Sequence, residues 1–121
     1  PNQIEAMGVD VFYDLDKAVE GADIVYMLRI QKERQSRSLF ASIREYSNMF
    51  GLTQKRLERA KPDALVMHPG PMNRGIELTN AIADSDRAII NEQVTNGVAV
   101  RMAVLYLLAG RRDRSSEVQA E

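Results

Sequence analysis

The stretch "DIVYMLRI", residues 23–30, decides the fold. It is apolar almost throughout until Arg29, and a short run without alternation suits a parallel strand covered on both faces. Upstream, "VDVFY" (residues 9–13) is a β-rich run ending at Asp14. Asp14 is a good N-cap for the helical "LDKAVEGA", which Gly21 closes. Downstream, a polar stretch "QKERQSRS" (residues 31–38) leads into a helix from about Leu39 to Asn48. A turn at Gly51 and a second helix capped by Thr53 follow, and then a third strand, "ALVM", at residues 64–67. Strand, helix, strand, helix, strand at this spacing predicts βαβ units in a doubly wound α/β sheet with helices on both faces.

Composition narrows the classes. The chain has 121 residues, 45% of them hydrophobic, with 16 basic and 17 acidic side chains. So even a balance gives no general attraction for nucleic acid or a membrane surface. There is no cysteine, which excludes disulfides and Cys-type zinc sites and is compatible with a reducing compartment. No signal peptide is visible, and no apolar run reaches the roughly 20 residues of a membrane span. The opening "PNQIEAMG" reads as the end of a helix, as expected of a chain cut from something longer. The closing residues 111–121, "RRDRSSEVQAE", read as a disordered polar tail.

Ligands of open α/β sheets bind beyond the carboxyl ends of the strands. Two strands here end in unusual residues. The second runs into Arg29-Ile30-Gln31-Lys32-Glu33-Arg34. Alternation puts Arg29 and Gln31 on the same side, where a guanidinium fork and a carboxamide suit a ligand carboxylate. Glu33 is close enough to hold the guanidinium, although a plain structural ion pair between Arg29 and Glu33 fits the spacing too. The third strand runs into His68-Pro69-Gly70-Pro71. The prolines remove two backbone donors, so this turn offers mostly carbonyl oxygens, and Gly70 permits close approach. His68 is the chain's one histidine. It reads as a base or, more commonly, as a hydrogen-bonded structural residue. No second histidine or carboxylate cluster supports a metal site.

Taken together, "LRIQKERQ" (residues 28–35), "MHPGPMNRGIEL" (67–78) and "NGVAVRMAVL" (96–105) resemble the C-terminal half of the aspartate carbamoyltransferases. The resemblance covers nearly the whole sequence in the same order. It implies a Rossmann-like aspartate-binding domain of the carbamoyltransferase fold, incomplete because it lacks the opening strand. That domain would span residues 1–110, with a C-terminal helix at 94–109 that packs on a carbamoyl-phosphate domain not in this chain. The related ornithine carbamoyltransferases typically carry His-Cys-Leu-Pro in the third-strand motif and lack the Arg-x-Gln pair. Pro69 and Arg29 therefore favour aspartate.

The resemblance also implies roles. Arg29 would bind the β-carboxylate of L-aspartate, with Gln31 assisting and Glu33 orienting Arg29. The carbonyls of Pro69 and Gly70 would hold the carbamoyl NH2 and the amine of aspartate. His68 would be structural, and Arg74 and Glu77 would fix the loop beside it. The reaction implied is attack of the aspartate amine on carbamoyl phosphate, giving N-carbamoyl-L-aspartate and phosphate in pyrimidine biosynthesis, with no cofactor. The Ser-Thr-Arg-Thr phosphate motif and the carbamoyl-polarising histidine are absent from this sequence, so no complete catalytic set is expected here. The family further implies a cytoplasmic homotrimer. Two alternatives stand beside this reading: a non-catalytic homologue serving as an assembly module of a pyrimidine-pathway complex, and a nucleotide-binding Rossmann module. No G-x-G-x-x-G follows the first expected strand to favour the latter.

From Gly97 to Gly110, "GVAVRMAVLYLLAG" carries one charge, Arg101. A helix apolar on nearly every side expects burial on nearly every side, and a missing partner is the expected cover.

Overall fold

The computed structural model describes residues 2–30 and 42–116, the side chains of Asn2 and of residues 110–116 excepted. Its elements are α1 (Asn2–Glu5), α2 (Leu15–Ala18), β1 (Ile24–Tyr26), α3 (Ile43–Phe50), α4 (Gln54–Leu57), β2 (Leu65–Met67), α5 (Asn80–Ala83) and α6 (Ile90–Ser116). The chain divides into two compact units, Pro1–Ile90 and Asn91–Glu121.

In the first unit β1 and β2 run parallel, with Ile24 opposite Leu65, Val25 opposite Val66 and Tyr26 opposite Met67. Parallel pairing is what the uninterrupted apolar run predicts, and it sends both strand ends to the same edge of the sheet. The other side of β2 is taken by residues 87–89. The Val66 N–H donates to the Arg87 carbonyl at 2.7 Å, and the Ile89 N–H donates to the Val66 carbonyl at 3.1 Å, a parallel bridge of Val66 with Ala88.

That arrangement corrects two expectations. Residues 9–13 form no strand: among the described residues they pair with nothing, and Tyr13 is 87% exposed. β-branched and aromatic side chains favour a pleated surface, but an extended segment becomes a strand only where a neighbour takes its backbone hydrogen bonds. The other neighbour of β2 in this two-stranded sheet is instead 87–89, through an isolated bridge at Ala88. Its apolar run, Ala88-Ile89-Ile90, is too short for periodicity to register. The second correction concerns coverage. Val25 and Met27 are buried, whereas Ile24, Tyr26 and Leu28 are exposed, so β1 is covered on one face only in this chain.

The helical punctuation follows the sequence. Asp14 Oδ1 accepts the Asp16 N–H at 3.0 Å at the start of α2, and Thr53 Oγ1 accepts the Arg56 N–H at 3.4 Å at the start of α4. The helix expected from Leu39 has its beginning outside the described residues. Its described part starts after Ser42, whose Oγ accepts the Glu45 N–H at 3.1 Å, and runs on to Phe50. Gly51 then ends α3 where there is no room for a side chain. A Cβ there would collide with the Ser47 carbonyl oxygen and lie 2.8 Å from that of Ile76.

The core of this unit comprises Val19, Val25, Met27, Leu52, Leu57, Ala60, Ala64, Val66, Leu78, Ile82 and Ile90. Leu52 clips the layers together: its N–H donates to the Glu77 carbonyl at 2.8 Å and its carbonyl accepts the Thr79 N–H at 3.1 Å. Arg56 staples three segments. It donates to Asp16 Oδ1 at 2.9 Å, to the Gly51 carbonyl at 2.6 Å and to the Asn48 carbonyl at 2.9 Å, satisfying carbonyls that the end of α3 leaves open.

The described residues of the second unit are helical. α6 continues past Gly110 to Ser116, into the residues read from the sequence as a disordered tail. Residues 111–116 hold no glycine or proline, and Arg is a good helix former, so one interior glycine costing about 1 kcal/mol does not stop the helix. Val98, Val100, Met102, Leu105, Tyr106, Leu107 and Leu108 are all exposed. Among the described residues no helix is long and apolar enough to cross a membrane.

Candidate functional site

The site grows from the parallel register. Tyr26 and Met67 end β1 and β2 as partners, and the Met27 N–H donates to the Met67 carbonyl at 2.9 Å. Three residues further along each strand come Arg29 and Gly70. The two motifs singled out from the sequence therefore leave the sheet at the same edge, where α/β folds place their ligands.

Gly70 has φ 62°, a left-handed value that a side chain disfavours, and its peptide bond to Pro71 is cis. Its N–H donates to His68 Nδ1 at 2.9 Å. That bond fixes the imidazole tautomer: Nδ1 accepts, so Nε2 carries the proton. Nε2 faces Glu77 Oε2 at 3.5 Å, long for a hydrogen bond but close for a charge. His68 and Glu77 are both 0% exposed. Burial lowers the His68 pKa from its ordinary 6.5, Arg29 pushes it the same way, and the Glu77 carboxylate opposes both. At neutral pH the ring is uncharged, a structural hydrogen-bonding group.

Glu77, to which the resemblance gives a loop-fixing role, is buried between the two motifs. Its Oε1 accepts the Ile30 N–H at 3.0 Å and Asn73 Nδ2 at 2.7 Å, while Oε2 accepts the Asn73 N–H at 2.6 Å. A buried carboxylate needs such donors to offset lost hydration. Asn73, to which the sequence analysis assigns no role, supplies two of them. The Tyr46 phenol on α3 also senses this charge: burial raises its pKa, and Glu77 adds to the rise. Arg74 lies further out, where its guanidinium holds both oxygens of Asp84 at 2.8 and 2.9 Å. It secures the loop to the end of α5. Pro69 is exposed and Gly70 half-buried at the mouth of the turn, and Arg29 is half-buried beside it. Gln31 and Glu33 lie outside the described residues. Among the described residues no His, Cys, Asp and Glu cluster could hold a metal ion.

The arrangement is an acceptor turn beside a cation, held from beneath by a buried carboxylate. The family described as aspartate/ornithine carbamoyltransferase, Asp/Orn binding domain, matches residues 2–108. The chain belongs to that family. A relative named the aspartate carbamoyltransferase catalytic subunit of Halothermothrix orenii is 60% identical over 111 residues, which are 92% of this chain and 36% of the relative. Among solved structures, aspartate transcarbamoylase from Trypanosoma cruzi in complex with aspartate and phosphate is similar at TM-score 0.62 and 29% identity. That likeness covers 87% of this chain and 30% of the other. Anabolic ornithine carbamoyltransferase from Campylobacter jejuni subsp. jejuni NCTC 11168 matches at TM-score 0.73 and 24% identity, over 91% and 37% of the two chains. At that identity the match bears on the fold alone. The chain thus spans about a third of the length of the carbamoyltransferases it matches.

Proposed function

We propose that this chain is the aspartate-binding part of an aspartate carbamoyltransferase. The whole enzyme would transfer the carbamoyl group of carbamoyl phosphate to the amine of L-aspartate, in pyrimidine biosynthesis. The observation that carries the reading is the shared edge of Arg29 and the His68–Pro71 turn, joined through Glu77 to Ile30 and Asn73. A guanidinium beside a turn rich in carbonyl oxygens suits a ligand with a carboxylate at one end and an amine at the other. Arg29 takes the β-carboxylate, Gln31 assists, and Glu33 orients the guanidinium. The Pro69 and Gly70 carbonyls accept hydrogen bonds from the amine and from the carbamoyl NH2.

Such a site places the nucleophile and leaves phosphate binding to the rest of the enzyme, and positioning accounts for much of the rate in such a two-substrate reaction. Residues 1–110 act as the aspartate domain. The apolar stretch at 94–109 packs on the carbamoyl-phosphate domain, and the enzyme works as a cytoplasmic homotrimer. The name of the Halothermothrix orenii relative and its 60% identity support aspartate as the substrate.

The test is steady-state kinetics on a chimaera in which this chain replaces the matching third of that relative. Arg29→Ala should raise the aspartate requirement strongly and change the carbamoyl phosphate requirement little. The unpaired β-carboxylate costs on the order of 3–5 kcal/mol if the site buries it. An unchanged aspartate requirement would sink the role of Arg29.

A further inference from the structure

We propose that Glu77 is a positioning residue that locks the two ligand-facing edges into one frame, so that the carbonyl turn and the Arg29 strand end move together. The inference rests on the reading above for its ligand, but not for its geometry. The carboxylate is 0% exposed and reaches both edges at once: Ile30, next to Arg29, at 3.0 Å, and Asn73, two residues past Pro71, at 2.6 and 2.7 Å. On the loop side a second path runs from Glu77 through His68 Nε2, at 3.5 Å, and from His68 Nδ1 to the Gly70 N–H at 2.9 Å. Ile30 and Gly70, 40 positions apart in sequence, thus share one buried anchor.

The chemistry of the anchor is specific to a carboxylate. Each oxygen faces two donors: Oε1 meets the Ile30 N–H and Asn73 Nδ2, and Oε2 meets the Asn73 N–H and the His68 Nε2 proton. A carboxamide of the same shape must turn an NH2 toward one of those pairs, donor against donor, whichever way it flips. Glu77→Gln therefore breaks one donor pair whichever way it flips, and with it the shared anchor of both edges, although it conserves volume. Asn73→Ala removes a single donor and leaves the carboxylate in place, a milder version of the same loss.

The experiment uses the 121-residue chain, its Glu77→Gln and Asn73→Ala variants, and NMR. Amide exchange at Ile30 and Gly70 is read together with the titration of the His68 ring and the response to added L-aspartate. In Glu77→Gln, exchange at Ile30 and Gly70 should rise together, by about tenfold or more, the scale of a lost charge-assisted hydrogen bond. The His68 titration should move to lower pH, because the opposing carboxylate charge is gone. A filler role for Glu77 would leave that titration where it is. Should Glu77→Gln fail to fold, Asn73→Ala decides: a joint rise at Ile30 and Gly70 supports the frame. Loosening of one edge with the other still protected, in whichever variant folds, overturns it. A joint rise in a chain whose amides ignore L-aspartate keeps the frame and removes the assigned ligand.

Discussion

His68 is the residue whose position invites the most direct test. Its pKa lies below 6.5 chiefly because it is buried, with Arg29 lowering it further and Glu77 pulling back. Between the folded value and 6.5 the unfolded chain binds a proton that the folded chain refuses. The contribution to stability is therefore full above about pH 6.5, falls as the pH drops through that window, and levels off below the folded value. His68→Asn keeps an acceptor for the Gly70 N–H and removes the titration. Denaturant melts from pH 8 to 5 should show a steeper loss in the wild type than in the variant. Parallel curves would mean that His68 does not titrate differently on folding. In the chimaera the same variant should keep substantial turnover, since the ring holds the loop and need not move a proton. Loss of an ionisation from the pH–rate profile in the variant would make it an acid–base group instead.

At this scale the sequence displays identity but hides environment. Arg29, Pro69 and Gly70 stand out because a cation and a proline-flanked, carbonyl-rich turn follow apolar strands. Glu77 owes its expected role beside the loop to the resemblance alone, and nothing local in "NRGIEL" announces that it is fully buried among donors 4 and 47 positions away. Long-range partners are a property of the fold.

Among the elements, the caps at Asp14 and Thr53 were readable because capping is a contact within three residues of sequence. The strand at 9–13 misled because pairing depends on a neighbour, and the pairing at 87–89 was hidden for the same reason. Two substitutions probe these joints. Gly51→Ala should destabilise the chain by about 2 kcal/mol or more, because the added Cβ meets two backbone carbonyls that cannot swing away. Chemical denaturation measures it, and an unchanged midpoint would show that the junction of α3 and Leu52 is loose. Thr79→Val should go the other way. The Thr79 hydroxyl is buried without a hydrogen-bond partner among the described residues, and it makes no cap bond to α5. An apolar isostere removes that desolvation cost, so stability should hold or rise by up to about 1 kcal/mol. A clear loss would reveal a partner for the hydroxyl.

For the whole molecule, the exposed apolar surface is the dominant feature. Ile24 and Tyr26 on β1 and Leu28 just past it are uncovered, as is the run from Val98 to Leu108 on α6, where Tyr106 is 80% exposed. Surfaces of this kind mark interaction sites. The isolated chain should self-associate, and it should show no carbamoyl transfer because its sequence lacks the Ser-Thr-Arg-Thr phosphate motif. Light scattering beside a colorimetric carbamoyl-aspartate assay tests both, and an active, monodisperse 121-residue monomer would contradict them.

Product analysis of the chimaera decides whether this chain supplies the aspartate side of a carbamoyltransferase. With carbamoyl phosphate and equal L-aspartate and L-ornithine, the product should be N-carbamoyl-L-aspartate with little citrulline. Citrulline as the main product, or a folded and assembled chimaera that consumes neither amino acid, would contradict it.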